Sequence, residues 1–549
     1  MSLQFITGNS GNGKTKYLFN RIVKEAKANP RDNYLVIVPE QFTMQTQRQL
    51  VDLSENKAIM NIDVLSFKRL AYRVFDELGI TNLTVLEETG KNLVLRKLAA
   101  QEADKLGVIG RNLNRIGYIS EVKSLLSELV QYNISPEELG RYIASGRLSD
   151  TLSDKLKDVL VLYEAFEKFM QDKYITAEEI LNVLSNVAEE SAILRNSVIA
   201  FDEFTGFTPI QNQLIKKLFV ISKKIYVTLT IDCREDIFKS RGMQELFDMP
   251  KRTVKSLTEM AAFYGIEVEE PIILDKNYRL AENEELSFME QQLFRKRRCS
   301  FEKVPKHIHI DCLRDPKQEL TKIARRINEL VRNENLRYRD IAIVTGDVNI
   351  YAGYVREIFD KYNIPYFIDA TQEILFHPFI EFIRSIPDIA AQNFSADAVF
   401  RFLRCGFSEL LDSEIDVLEN YVLACGVRGK SAWDKKWVRL PKHKAGYDLE
   451  LLNQSREYIM ELLKPVYQVF SDKKSTVKDY VLAIYKLIVL LDIPDKLAKK
   501  EQALLDAGDQ TASKEYGQIY KIVMQLFEKY VAVLGDECMD ACLLYTSPS

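Results

Sequence analysis

Apolar positions in the first 80 residues fall into short dense runs separated by stretches of helical period. Leu3–Thr7 reads as a short apolar strand that leads straight into glycines. Lys14–Ala28 places Tyr17, Leu18, Ile22 and Ala26 at the spacing of one helix face. Tyr34–Val38 is a continuous β-rich run closed by Pro39, which predicts a strand buried on both faces of a parallel sheet. Asn61–Leu65 reads as another strand, followed by a helix from Ser66. Over residues 84–190 the period becomes helical, as in Leu156, Val159, Leu160, Tyr163, Phe166 and Met170. Strand signals return at Ser197–Phe201 and Ile225–Thr230. A further β/α stretch starts at His307–Leu313, which alternates with period two. It continues with a helix over Gln318–Asn333 and a strand at Ile341–Val344, and from about residue 380 the chain is helical again. The pattern predicts an α/β protein: two parallel-sheet parts, each interrupted or followed by a helical insertion.

Composition narrows the class. A chain of 549 residues suggests roughly three or four domains. With 46% apolar and 28% charged residues it is an ordinary globular chain, neither disordered nor collagenous. Lys and Arg number 75 against 79 Asp and Glu, a net charge of −4. That excludes a uniformly basic coat for nucleic acid but leaves room for a local basic groove. The seven cysteines are scattered and contain no C-x-x-C pair, which argues against a disulfide scaffold or a zinc ribbon and fits a reducing cytoplasm. Cys538 and Cys542 stand one helical turn apart, as two thiols on one helix face or as a metal pair. His307 and His309 share one side of the expected strand, again as a sheet-edge pair or as metal ligands. No apolar run approaches the ~18 residues of a membrane span, and nothing at the N-terminus has the form of an export signal.

Chemistry concentrates at Gly8-Asn9-Ser10-Gly11-Asn12-Gly13-Lys14-Thr15, which satisfies G-x-x-x-x-G-K-[ST] between a strand and a helix. Glycines let the backbone curl so that its N–H groups face a phosphate chain, and the helix N-terminus adds partial positive charge. Lys14 reaches for the β/γ-phosphates and Thr15 offers a hydroxyl to Mg²⁺. Asp202 and Glu203 close the apolar strand Val198–Phe201, where the second carboxylate site of such a centre belongs. Asp202 is read as the Mg²⁺ holder, directly or through water, and Glu203 as the residue that polarises the attacking water. The alternative is an acidic strand end in a surface loop.

The order of P-loop, helical insertion and Phe201-Asp202-Glu203-Phe204-Thr205-Gly206-Phe207-Thr208-Pro209-Ile210-Gln211 is similar to that of the UvrD-like helicases. Asp63-Val64-Leu65-Ser66-Phe67-Lys68-Arg69-Leu70-Ala71 looks like their early DNA-contact motif. Leu274-Asp275-Lys276-Asn277-Tyr278-Arg279 looks like their Asn-Tyr-Arg motif, and the match gives Arg279 a place facing the γ-phosphate. Within that superfamily Pro39-Glu40-Gln41-Phe42-Thr43, the Phe204–Pro209 stretch and Phe376-His377-Pro378-Phe379 resemble the AddB (RexB-like) family of AddAB helicase–nucleases. The resemblance implies RecA-like P-loop domains that bind ATP and Mg²⁺. It implies a larger AddA-like partner, single- and double-stranded DNA as substrates, and work in double-strand-break repair by recombination. It also implies a channel that scans one strand for the hotspot Chi through Gln41, Thr43, Phe67, Arg69, Tyr72, Phe204 and Phe207. The residue types suit that task, because aromatics stack on bases while Gln, Thr and Arg bond base edges and phosphates. Plain core packing is the alternative for Phe67 and Phe207.

Departures from a working motor accompany the likeness. Only seven residues precede Gly8, so the adenine-reading Gln motif of UvrD-like motors has no room, and Leu229-Thr230-Ile231-Asp232-Cys233 lacks their Gln-containing coupling motif. The late arginine motif is not visible either. The resemblance therefore implies a largely degenerate motor, with an active DNA translocase and an unrelated P-loop switch as rivals. The expected divisions are a P-loop domain over 1–83 and 191–299 with a helical insertion over 84–190, a second RecA-like part from 300 to 384, and a helical insertion over 385–540. Residues 541–549 do not continue the helical pattern and read as a non-native or truncated tail, so the natural chain is expected to run on. The RecB-type nuclease domain and iron–sulfur cysteines of the family are expected only in that missing part. Arg295-Lys296-Arg297-Arg298 is the expected joint between the α/β parts, either a solvated helix end or a nucleic-acid contact.

Overall fold

The computed structural model describes residues 1–536 and 538, apart from 81–84, 87, 109, 111–116, 147, 172–173, 296–298, 370–373 and 442–446. Cys542, Lys296–Arg298 and the 541–549 tail lie outside the described residues. Two compact units are present. The first comprises Met1–Phe301 with Val469–Tyr485 and the described residues from Lys514 on; the second comprises Glu302–Gln468 and Lys486–Ser513.

In the first unit β1 (Ser2–Gly8) leads into α1 (Lys14–Ala28), β2 (Tyr34–Ile37) into α2 (Thr43–Leu53), and β3 (Ile62–Leu65) into α3 (Phe67–Leu78). A short parallel pair, β4 (Val85–Leu86) and β5 (Ile175–Thr176), brackets a helical stretch. That stretch holds α4 (Glu88–Gln101), α5 (Tyr118–Gln131), α6 (Pro136–Ala144) and α7 (Asp150–Met170). After α8 (Ile180–Val187) the chain returns to the sheet as β6 (Val198–Phe201), α9 (Pro209–Ile221) and β7 (Lys224–Thr230). It ends with α10 (Asp248–Phe263), β8 (Glu267–Val268), β9 (Ile272–Leu274) and α11 (Glu284–Gln292).

The sheet order is β3-β2-β6-β7-β1, with β8 and β9 both on the far side of β1, and every pairing is parallel. Register sets Gly8 beside Thr230 and Ile37 beside Phe201, so the P-loop and the Asp202–Glu203 turn leave the same carboxyl edge. Parallel sheets need cover on both faces, and the strands meet this by alternation. Leu3, Phe5, Leu35, Ile37, Ile199, Phe201, Ile225 and Val227 enter one core with α3, α8, α9 and α10. Ile6, Val36, Val38, Val198, Ala200 and Tyr226 enter the other with α1 and Leu50 of α2. The helical stretch has its own core around Leu95, Leu126, Leu162 and Phe166. The later helix Gln510–Leu534 reaches this unit with its C-terminal part, and Tyr174 Oη donates to the Ala532 carbonyl at 3.3 Å.

In the second unit α12 (Pro316–Asn333) packs on α13 (Val348–Lys361) through Leu320, Ala324 and Ile327 against Val355, Ile358 and Phe359. The strands predicted at His307–Leu313 and Ile341–Val344 are not formed: both are irregular chain with no strand partner among the described residues. Ile310 and Val344 stay in solvent at 94% and 93% exposure, while Ile341 packs against the α12–α13 core. Period two reports which side chains would share a face, but a strand also needs a neighbour for its backbone groups, and none is supplied. His307 and His309 sit in this exposed stretch. His377 shapes a helix start: its Nδ1 accepts from Phe379 N at 3.2 Å, capping α14 (Pro378–Ala391) with Pro378 in the first turn. The rest of the unit is helical, as expected. No helix among the described residues is long and apolar enough to cross a membrane.

Ile199→Ala, at 0% exposure in the central strand, is expected to lower stability by about 2–5 kcal/mol. Ile310→Ala is expected to change it by less than about 0.5 kcal/mol. Denaturant unfolding followed by circular dichroism checks both.

Candidate nucleotide site and neighbouring DNA face

The loop between β1 and α1 is shaped by its glycines and by a segment docked on it. Gly11 and Gly13 take φ of 88° and 78°, the left-handed region that a side chain disfavours. Gly11 is also crowded: a Cβ there would lie 2.8 Å from Asn277 Oδ1 and 2.9 Å from Arg279 Cβ. The Gly11 carbonyl accepts from the N–H groups of Tyr278 and Arg279 at 3.0 and 3.3 Å, and Asn277 Nδ2 donates to the Ser10 carbonyl at 3.1 Å. A Cβ on Gly8 would stand 2.5 Å from the Leu274 carbonyl, which instead accepts from Asn12 Nδ2 at 2.6 Å. The Leu274–Arg279 segment thus closes on the loop from the far side of β1. Arg279 lines the same cavity of about 730 Å³ as Ser10, Gly11, Gly13, Lys14, Thr15, Asp202 and Glu203.

Lys14 opens α1 with its ammonium donating to the carbonyls of Gly8 and Asn9 at 3.2 and 3.0 Å. Burial lowers its pKa, opposed by the carboxylates of Glu203 and Asp202. Thr15 Oγ1 lies 3.3 Å from Asp202 Oδ1 and 3.4 Å from Glu203 Oε1. Asp202 is 2% exposed, and Thr228 donates to its Oδ1. Its Oδ2 is buried and has no hydrogen-bond partner among the described residues. Burial raises the Asp202 pKa, and the Glu203 charge adds to that against the hydrogen bonds of Thr228 and Thr15. A buried carboxylate with an open oxygen, beside a threonine hydroxyl and a second carboxylate, is a hard-oxygen donor set that suits Mg²⁺. Glu203 carries its exposed carboxylate on a left-handed backbone, φ 64°, an unusual conformation for glutamate.

Five of the seven residues assigned to the DNA face reach or adjoin one surface. Gln41 lies exposed in the short 3₁₀ turn Glu40–Phe42. Glu40 ties that turn to the start of α3: it accepts from Ser66 Oγ at 2.5 Å and pairs with Arg69 at 3.5 Å. Tyr72 is one turn further along α3, at 39% exposure. Phe204 and Phe207 are half-buried in a ring cluster with Phe67 and Phe201 whose centroids lie 5.2–6.3 Å apart. Two residues stand apart in the fold: Phe67 is core, at 7% exposure, and Thr43 is buried with its hydroxyl donating to the Glu40 carbonyl. Gln211, the glutamine downstream of the acidic pair, is spent on a capping box: its side chain accepts from Thr208 N at 2.9 Å.

Sequence reasoning missed a second set of residues behind the loop. Asn9, 4% exposed, donates to Glu290 at 3.0 Å and accepts from Cys233 N at 2.9 Å. Asp232 accepts from Arg234 at 2.6 and 2.9 Å and from Arg295 at 3.0 Å. Burial opposes its ionisation, but these hydrogen bonds and the arginine charges hold the carboxyl well below the usual range. Arg234 also bonds the Gln291 carbonyl, so α11 is fastened to the ends of β1 and β7. The signal in the chain was an Asp at a strand end with Arg234 two residues on; Arg295, 63 positions away, gave none.

A family model described as "ADDB, N-terminal" matches residues 5–290. A relative from Lachnoclostridium phytofermentans, described as the B subunit of an ATP-dependent helicase/deoxyribonuclease, is 38% identical over 98% of this chain and 48% of its own length. Proteins of that description from Clostridium novyi and Clostridium acetobutylicum are 31% and 32% identical, with 98% of this chain and 47% of each relative covered. The chain spans about half the length of these curated relatives.

Asp232→Asn is expected to cost about 1–3 kcal/mol at pH 7, the lower end applying because Arg234 is half-exposed. A depressed carboxyl stabilises above its unfolded value of ~3.9 and loses that contribution as pH falls through the folded value. The gap between wild type and variant should therefore be constant above about pH 5 and narrow below about pH 4, read from urea unfolding across that range. With the family model matched over residues 5–290 and these relatives in agreement, the chain belongs to the AddB N-terminal family.

Proposed function

We propose that this chain is the nucleotide- and DNA-engaging N-terminal part of an AddB-type component of an ATP-dependent helicase/deoxyribonuclease. The enzyme would act with an AddA-like partner in the cytoplasm on double-strand ends during recombinational repair. One observation carries the reading. Lys14, Thr15, Asp202, Glu203 and Arg279 surround one cavity at the carboxyl edge of a parallel sheet, and Gln41, Arg69 and Tyr72 leave that edge beside it. Ligands bind at such edges because helix N-termini and loop N–H groups converge there.

Gly8 to Thr15 would wrap the phosphates, with Lys14 turning from the loop carbonyls to the β/γ-phosphates. Thr15 and Asp202 would hold Mg²⁺, which neutralises phosphate charge when bound. Arg279 would meet the γ-phosphate, and Glu203 would orient water. A single strand would cross Gln41, Arg69, Tyr72 and the rims of Phe204 and Phe207, where Chi would be read. Phe67 would act beneath that surface by setting the two rings, and Thr43 by shaping the Gln41 turn.

The second reading, an active translocase, is favoured by the full Thr15–Asp202–Glu203–Arg279 set. DNA-stimulated ATP turnover separates the two. A Lys14-dependent rate of about 1 s⁻¹ or more, ordinary for an enzyme, would establish an active motor. A rate far below that, with ATP–Mg²⁺ binding retained and lost in Lys14→Ala, is the expected result. Asp202→Asn should remove the Mg²⁺-dependent rise in melting temperature.

A further inference from the structure

Beside the Asp202–Glu203 turn lies a separate cleft of about 390 Å³. One wall is the Thr205–Pro209 loop, the other is the first half of α10, and Tyr132 at the end of α5 also lines it. Its floor is Gly206. A Cβ there would lie 3.3 Å from Thr253 Oγ1 and 3.7 Å from Met249 Cγ, so any side chain would fill the space. The loop is pinned in this shape by Thr253 Oγ1, which lies 3.0 Å from the Thr205 carbonyl and 3.1 Å from the Met249 carbonyl.

The lining has an unusual composition for a surface cleft. Tyr132 and Met249 are 60% and 62% exposed, two large apolar groups held in solvent. Arg252 uses Nε on Asp248 at 2.8 Å and makes no other ion pair or side-chain hydrogen bond among the described residues. Asn212 donates to the Phe207 carbonyl at 3.4 Å and keeps its side-chain oxygen open. The Ser256 hydroxyl at the far end has no partner among the described residues. An aromatic and a thioether suit the faces of a planar ring, Asn and Ser suit its polar edge, and the guanidinium suits a phosphate. Asp248 keeps the guanidinium in place and is the acid that faces it. Phe207 forms part of the wall and touches the ring cluster of Phe67, Phe201 and Phe204, so the cleft adjoins the surface assigned to the single strand.

We infer that this cleft receives one unstacked nucleotide of that single strand, with Tyr132 stacking on the base and Arg252 on its phosphate. The inference rests on the proposal that DNA crosses this face, and its test separates the two. The probe is a single-stranded oligodeoxynucleotide carrying 2-aminopurine, titrated into the full chain at fixed salt. Binding is read by anisotropy and base unstacking by 2-aminopurine fluorescence. Tyr132→Ala is expected to weaken binding about 5- to 150-fold, the range for loss of one base–aromatic stack, and to abolish the fluorescence change. Tyr132→Trp should restore both. Gly206→Val should block the cleft with the same loss of binding, and affinity for ATP–Mg²⁺ should stay within about twofold in both Tyr132 variants.

Should Gly206→Val fail to fold, the exposed Tyr132 pair still decides. Weakened binding in Arg69→Ala with no effect of Tyr132→Ala would overturn the cleft and keep the DNA face. Absence of oligonucleotide binding by the wild-type chain would overturn both.

Discussion

The close approach of the Leu274–Arg279 segment to the glycine loop is the constraint on which the rest of the first unit depends. The approach needs Gly8 and Gly11 to lack side chains, since a Cβ at either would collide with the docked segment. It needs β9 to lie parallel against the last three residues of β1, so that the segment leaves the sheet where the loop begins. It also needs the Gly11 carbonyl to face outward and take the Tyr278 and Arg279 N–H groups. Once those conditions hold, an arginine 271 positions beyond Gly8 in the sequence stands at the cavity beside Lys14 without any further device. The same register sets where Asp202 leaves the sheet: β6 ends beside Val227 of β7 while β1 runs on to Gly8 beside Thr230, and Thr15 at the start of α1 lies 3.3 Å from Asp202.

Electrostatics at the cavity follow from burial more than from pairing. Asp202 is taken out of water and given hydroxyl donors instead of a cation, which leaves its charge poorly compensated. Lys14 is likewise desolvated, and its hydrogen bonds are to loop carbonyls. Unlike charges kept near each other but unpaired favour a ligand that brings the complementary charge to each. Behind the loop the opposite solution is used. Asp232 is fully compensated by two arginines, and that region is fastened shut.

Much of this is legible in the chain. Lys14–Ala28 can be bounded from its apolar spacing and the glycine before it, and the central strands can be found because runs such as Tyr34–Val38 have no polar face. The acidic pair can be placed because it closes one of those runs. What cannot be read is anything set by register. Thr228 is one threonine in an apolar strand until the parallel pairing puts its hydroxyl on Asp202. Asn9 looks like a variable loop position until Glu290 and Cys233 meet it. The expected strands near His307 and Ile341 failed for a related reason: alternation speaks for a residue's own preference and is silent about a neighbouring strand. Phe67 and Thr43 show the limit of matching by motif, since the match fixes a position along the chain but not which way a side chain faces.

The four-ring cluster has a mechanical meaning. Phe201 immediately precedes Asp202 and Phe204 immediately follows Glu203, so the two carboxylates sit on a turn whose two ends are embedded in one aromatic body. That body has no soft direction: moving Phe204 or Phe207 at the surface displaces Phe67 and Phe201 in the core. A ligand that leaned on the outer rings would therefore also bear on the position of the acidic turn. By thermodynamic reciprocity, any ligand that fixed the turn would change binding at the outer rings by the same factor. The outer rings and the acidic turn are thus two faces of one packed cluster, with no separate relay between them.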